Sequence, residues 1–369
     1  MIINHLPSRT ITIDNEEYLF FSGTSYLGMG HQPAFKQALM EGMAQYGTVF
    51  SASRNNNLQI DVYDQVETYL AQWTGAEAAL TVTSGLLAGQ LLVQSLPRDT
   101  FFIYAPSTHP AIWYPHIKQT TLDTLPQYFF NNHTDFSSKI IDIILQEERP
   151  LAICSNSIDP LTCEPYDFTW LTQLPDNKDI TLVFDDSHGI GITHDKGGGF
   201  FRFLRKNYPI IFEKKNIKIA VIASMAKALG IPSGVILSDA NMIQIIRRNP
   251  LFVGASPAIP AYLYAFLNSQ NVYAEARKIL NVNIDLFNDF IEKTLLLQGY
   301  IKVLPSYPVF FSKNNAIYQA LLEDKIFISN FAYPNPTSPP ITRIIISALH
   351  TEGDILKLSK ALSKTHKFL

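Results

Sequence analysis

Short apolar runs alternate with helical patterns through the middle of this chain, and that alternation limits the fold more than any other feature. Ala78–Val82 reads as a strand, and Ser84-Gly85 then opens a helix running to Leu96. A strand follows over 100–104, a helix over 139–148, and a strand over 151–155. Further strands lie over 180–184, 218–223 and 235–238. Strands separated by helices pair mostly in parallel and are covered on both faces, so the expected fold is α/β with a helix-flanked sheet. In such sheets ligands gather beyond the carboxyl ends of the strands.

The flanks read differently. Residues 10–21 have a strand–turn–strand pattern bending at Asp14-Asn15. Pro33–Tyr46 reads as a helix ending at Gly47, and 60–73 as a second helix with Gly75 just beyond it. On that second helix Tyr63, Val66, Leu70 and Trp73 share a face. From about Ser256 a long helical stretch with a break, 258–299, leads to short strands at 301–304 and 343–347. A Pro-rich loop at 333–340 lies between those strands, and a helix over 353–364 closes the chain. The expected division is an N-terminal segment, 1–30, joining a small domain; a large domain, 31–254; and a small α+β C-terminal domain, 255–369.

Charge and composition exclude several classes. A net charge of -3 over 369 residues, without a dense Lys/Arg cluster, argues against nucleic acid as a main partner. The short basic patches at 202–206 and 214–218 read as solvated surface. Two cysteines, Cys154 and Cys163, make neither a disulfide framework nor a zinc site, and fit a reducing, cytoplasmic setting. The first residues lack a signal-peptide pattern, and no apolar run reaches membrane-spanning length.

Four polar clusters follow strands. Thr83-Ser84-Gly85 at a helix start offers free backbone N–H groups to a phosphate, or is an ordinary N-cap. Ser107-Thr108-His109 offers an imidazole for stacking or base work, or a plain surface histidine. In "FDDSHGIGITHDKGGG", Asp185 closes a strand and His188 lies three residues on. A metal there lacks further ligands, and the glycines do not follow a strand and open a helix as a dinucleotide fingerprint requires. In "ASMAKALGIPSG", Lys227 follows a strand among small residues, placed either as a Schiff-base nucleophile or as a surface lysine, with Ser224 placed for a second phosphate contact. Together these parts meet the needs of pyridoxal phosphate: a lysine, an acid for the ring nitrogen, and donors for the phosphate.

In that order the motifs resemble the fold-type-I pyridoxal-phosphate enzymes, and within them the α-oxoamine synthase group of the aminotransferase class I/II superfamily. The resemblance runs from "YLFFSGTSYLGMGHQP" to "TRIIISALHTEGDI". It implies a large domain with a mostly parallel seven-stranded sheet and a smaller α+β domain. It implies pyridoxal 5'-phosphate held by Lys227, with Asp185 at the pyridine nitrogen, His188 near the phenolic oxygen and His109 stacked on the ring. Ser84, Gly85, Leu86 and Ser224 match the phosphate contacts, and Ser157 matches a serine near the ring. Ser256 matches a residue reaching a phosphate across a dimer interface. Arg343 matches the arginine that grips the amino acid's carboxylate, a task suited to a bidentate guanidinium. The implied reaction condenses an amino acid with an acyl-CoA or acyl-carrier thioester, usually with decarboxylation, in a homodimer.

The chain departs from the group's pattern at several places. Thr24 replaces the asparagine of the "SNDYLGL" motif and remains a candidate substrate contact. In "GTVFSASRNNNLQ", Val49, Phe50 and Ala52 stand at or near glycine positions, Leu58 replaces a later glycine, and Tyr63 replaces a histidine. Bulky residues there are expected to narrow or redirect an acyl entrance. The N-terminus is short for the group, and the Asp185-to-Lys227 interval is long, with the additional residues expected in "FFRFLRKNYPIIFEKKN". Two competing readings follow: an aminotransferase or other amino-acid enzyme without a thioester, and a non-enzymatic relative. Intact Lys227, Asp185 and His188 argue against the second.

Overall fold

The structure, a computed structural model, describes residues 2–115, 127–333 and 335–364. The chain forms two compact units. The small unit comprises Met1–Pro33, Asp159–Pro165 and Asn271–Leu369, and the large unit comprises Ala34–Ile158 and Tyr166–Gln270. The segment 255–270 therefore packs with the large unit.

The chain begins with a hairpin of β1 (Thr10–Ile13) and β2 (Glu16–Phe21), turned by Asp14 and Asn15, both with positive φ. Asx residues tolerate that left-handed backbone better than most.

The large unit holds β3 (Ala78–Val82), β4 (Phe101–Tyr104), β5 (Gln127–Phe129), β6 (Leu151–Asn156), β7 (Ile180–Asp185), β8 (Ile217–Ser224) and β9 (Gly234–Ser238). They form one seven-stranded sheet in the order β3-β9-β8-β7-β6-β4-β5. β8, β7, β6, β4 and β5 run parallel, while β9 is antiparallel to both of its neighbours. Every residue of β6 and β7 is buried, which explains their near-continuous apolar sequences.

Parallel neighbours require a crossover, and the one from β7 to β8 contains helix Gly199–Asn207 and the single turn Ile210–Glu213. The stretch "FFRFLRKN" thus lies in a helix that buries Phe200, Phe201 and Leu204. The expected helix over 139–148 instead runs His133–Gln146, because Asn132 caps it by accepting the Asp135 N–H. The two basic patches are tied down: Arg202 pairs with Asp195, Lys214 with Asp176 and Lys218 with Asp179.

In the small unit β10 (Ile301–Val303), β11 (Val309–Ser312), β12 (Ile326–Ala332) and β13 (Pro340–Ile345) join the hairpin in a six-stranded sheet, β1-β2-β12-β13-β11-β10. The helical stretch expected over 258–299 is divided into Pro260–Asn268, Gln270–Lys293 and Leu295–Gln298. No helix among the described residues is long and apolar enough to cross a membrane.

One buried ion pair fixes the loop that precedes helix Asp61–Thr74. Arg54 meets Glu67 through two hydrogen bonds, at 2.9 and 3.2 Å. Glu67 also accepts the Thr81 N–H and hydroxyl, each at 2.8 Å, and a guanidinium bond from Arg247 at 2.8 Å. The Arg54 guanidinium lies 3.9 Å from the Tyr63 ring centre, and the Tyr63 hydroxyl donates to Ala258 O. Tyr63 is therefore a buried prop beneath Arg54. Substituting Glu67→Ala strands Arg54 and two Thr81 donors, and the expected cost is about 3 kcal/mol, read as an earlier chemical-unfolding midpoint. An unchanged midpoint would contradict this account of the loop.

Candidate active site

Strand ends bring the predicted residues of the large unit together along one edge of the sheet. β7 ends on Asp185, β6 on Asn156 and β8 on Ser224, and helix Gly85–Gln94 starts just after β3. Ser84 caps that helix by accepting the Leu87 N–H at 3.2 Å. The N–H groups of Gly85 and Leu86, in the first turn, have no acceptor within the helix.

The backbone there is packed too closely for side chains. A Cβ on Gly85 would lie 2.7 Å from Ser224 Cβ and 2.9 Å from Ser224 N. A Cβ on Gly234 would lie 2.2 Å from Ser84 O. Two glycines thus let the helix start meet the end of β8, placing the Ser224 backbone beside the first-turn amides. Free amides packed at a helix start form a seat that suits an anion of phosphate type.

Lys227 follows β8 in a turn closed by Met225 N–H to Ser233 O and Gly230 N–H to Lys227 O. Its Nζ lies 2.9 Å from His188 Nε2. Asp185 is buried, and its Oδ1 accepts the Ser187 N–H at 2.9 Å. Its Oδ2 lies 3.7 Å from His109 Nδ1. That Nδ1 accepts the Ala111 N–H at 3.1 Å, which assigns a neutral imidazole with its proton on Nε2. Partial burial lowers the His109 pKa, Asp185 opposes that shift, and Lys227 adds to it.

Asn156 was not singled out by sequence. Its Oδ1 accepts the His109 N–H at 3.0 Å, and its Nδ2 donates to Ser107 O at 2.7 Å, so it clamps the turn that presents the histidine. Asn156 closes an apolar strand, the one signal that pointed to it.

Asp186 is structural. Its Oδ1 accepts the Ser157 hydroxyl at 2.6 Å and its Oδ2 the Phe200 N–H at 2.7 Å. Ser157 thus turns its hydroxyl to Asp186, and its N–H donates to Asp185 O. Gly189 and Gly199 make room for this carboxylate, since Cβ atoms there would lie 2.1 and 2.3 Å from its oxygens. Two of the glycines of "FDDSHGIGITHDKGGG" therefore serve the fold.

Ser256 is exposed, between helices Pro250–Gly254 and Pro260–Asn268. Val49 and Leu58 point outward, while Phe50 packs toward Tyr63 at 6.3 Å between ring centres.

Two candidates belong to the small unit. Thr24 is half-buried beyond β2. Arg343, on β13, is buried, donates through Nη1 to Pro160 O, and lies 5.0 Å from the Phe331 ring centre. Its Nε has no hydrogen-bond partner, and no carboxylate forms an ion pair with it among the described residues. No group of acids, histidines and cysteines suited to a metal occurs among the described residues.

Residues 18–362 match the family described as aminotransferase class I and II. The chain belongs to that family. The chain is 24% identical over 375 residues to an 8-amino-7-oxononanoate synthase of Petrotoga mobilis, covering 97% of this chain and 90% of that protein. Its fold matches a serine palmitoyltransferase of Sphingomonas wittichii with a TM-score of 0.79 at 14% identity, over 99% of this chain and 92% of that one. A solved SPT with PLP matches with a TM-score of 0.79 at 15% identity, over the same shares of each chain. The fold is that of the fold-type-I pyridoxal-phosphate enzymes, and the sheet is the mostly parallel seven-stranded one expected. The glycine-lined seat, the buried acid and the lysine turn fit that cofactor.

Two outcomes test this geometry. Gly85→Ala places a Cβ against the Ser224 backbone and is expected to weaken pyridoxal-phosphate binding about tenfold or more, measured by titration of the cofactor-stripped chain. Wild-type affinity would refute the close-packed seat. Burial pushes the Asp186 carboxyl up to about 7, against the bonds from Ser157 and Phe200, with Asp185 raising it further. A raised carboxyl favours the folded state at low pH, and that contribution is lost as pH climbs from about 4 to about 7. Across that window the wild-type chain is expected to lose stability relative to Asp186→Asn, and parallel pH profiles would contradict the assignment.

Proposed function

We propose that this chain is a pyridoxal-phosphate-dependent acyltransferase that joins an amino acid to an acyl thioester, carried by CoA or by a carrier protein. The observation that carries the reading is the approach of Lys227 Nζ to within 2.9 Å of His188 Nε2, one turn past the buried Asp185. Relatives named as an 8-amino-7-oxononanoate synthase and a serine palmitoyltransferase support thioester condensation over transamination.

The roles follow from the residues. Gly85, Leu86 and Ser224 hold the phosphate, Asp185 faces the ring nitrogen, and His109 offers its neutral ring as a flat surface. When bound, the cofactor supplies an electron sink for charge developing at the α-carbon. Lys227 is the cofactor's anchor, and its Nζ takes the α-proton as general base. His188 orients that Nζ. Arg343, with a buried guanidinium and an unpartnered Nε, is assigned to the amino acid's carboxylate.

A second copy of the chain completes the assembly in this reading. Leu86, Leu251, Val253, Val49 and Leu58 are exposed apolar side chains of the large unit, and a homodimer interface would cover them. A cytoplasmic, non-membrane enzyme is the corresponding setting.

The purified chain is expected to be yellow, and borohydride should fix cofactor to the wild type but not to Lys227→Ala. A colourless wild type that takes up no pyridoxal phosphate would overturn the reading. Screening glycine, alanine and serine against several acyl-CoAs should release free thiol. Turnover with an oxo-acid acceptor and no thiol would establish transamination instead.

A further inference from the structure

The ladder between β7 and β8 ends before β8 does. Asp185 pairs with Ile222, and the Asp186 N–H donates to Ile222 O at 2.8 Å. β7 then turns away, with the Gly189 N–H bonding back to Asp186 O, while β8 continues to Ser224. The Ser224 N–H is the next donor, and no β7 carbonyl remains for it. Ser187 supplies the acceptor from its side chain, with Oγ taking the Ser224 N–H at 2.8 Å. The N–H of the same residue donates to Asp185 Oδ1 at 2.9 Å. Ser187 is only 4% exposed, so water does not replace either bond freely.

We propose that Ser187 is a positioning residue that locks the acid at one end of the cofactor site to the phosphate seat at the other. Its hydroxyl is a side-chain rung that fixes the height of Ser224, and Gly85 is packed on Ser224 with no slack. A shift of Ser224 therefore moves the seat. Its amide fixes the carboxylate that faces the ring nitrogen. The separation between the two anchoring points is set through one residue. This rests on the assignment of the phosphate to Gly85, Leu86 and Ser224.

The test compares pyridoxal 5'-phosphate with unphosphorylated pyridoxal. Dissociation constants of both are measured by fluorescence titration of the cofactor-stripped full chain. The chains are wild type, Ser187→Ala, Ser224→Ala, the double variant and Ser187→Thr. Ser224→Ala removes the hydroxyl assigned to the phosphate and should lower the preference for the phosphorylated form, which tests that assignment. Ser187→Ala should weaken pyridoxal-phosphate binding about tenfold while weakening pyridoxal less. In the double variant the combined loss should fall short of the product of the single losses, because both act on one contact. Ser187→Thr keeps the acceptor oxygen and should keep the wild-type preference. The proposal is overturned if Ser187→Ala keeps that preference while Ser224→Ala loses it, if it weakens both ligands equally, or if the threonine variant behaves as the alanine one. Should Ser224→Ala leave the preference intact, the seat assignment fails and the proposal fails with it.

Discussion

The Asp186 carboxylate is the fastener on which the edge of the sheet bearing the candidate site depends. It is fully buried, yet it accepts hydrogen bonds from two distant parts of the chain, Ser157 beyond β6 and Phe200 at the start of the crossover helix. Removing water from a carboxylate is costly, and here two donors offset part of that cost. The arrangement forces the chain after β7 into a compact turn, because Gly189 and Gly199 must both lie against the carboxylate. His188 and Ser187 are carried by that turn. The positions of Asp185 before it and Lys227 opposite it have meaning only while the turn holds.

The same economy appears at the neighbouring strand ends. At two of them a polar side chain takes over where backbone acceptors run out. Asn156 does so for the turn bearing His109, and Ser187 for the end of β8. Parallel sheets leave such unsatisfied amides at their carboxyl ends as a matter of geometry. In this protein the groups that satisfy them are interleaved with the groups assigned to chemistry: Asp186 and Ser187, which hold the backbone, lie between Asp185 and His188.

Much of this was legible in the sequence, and the remainder was hidden for identifiable reasons. The central strands were readable because full burial makes them continuous apolar runs, and β3 coincides with its expected limits. Helix Asp61–Thr74 was readable from its apolar face and from Gly75, whose positive φ ends it. Helix Gly199–Asn207 went unread although its signal was present: Phe200, Phe201 and Leu204 are buried while Arg205 and Lys206 face outward. Dense aromatics obscured the period. β11 went unread because it is only four residues long, and β12 because its seven residues, antiparallel to β13 and parallel to β2, show no clean apolar alternation. Ser187 left no periodic trace, and Asn156 only the faint one of a polar residue closing an apolar strand. Tyr63 looked like a departure from a family pattern, and only its position beneath Arg54 explains it.

The antiparallel return of β9 has a consequence for how Lys227 is delivered. Ser224 and Gly234 are paired, so Lys227 sits in the loop of a hairpin inside an otherwise parallel sheet. A parallel connection at that point would need a crossover helix and a long closure. The hairpin closes locally, at a small loss of chain entropy. Short-range closures of this kind form early relative to long-range parallel pairing. The lysine loop is therefore a kinetically local element, able to reach its final shape once β8 and β9 meet, before the rest of the cofactor site has assembled around it.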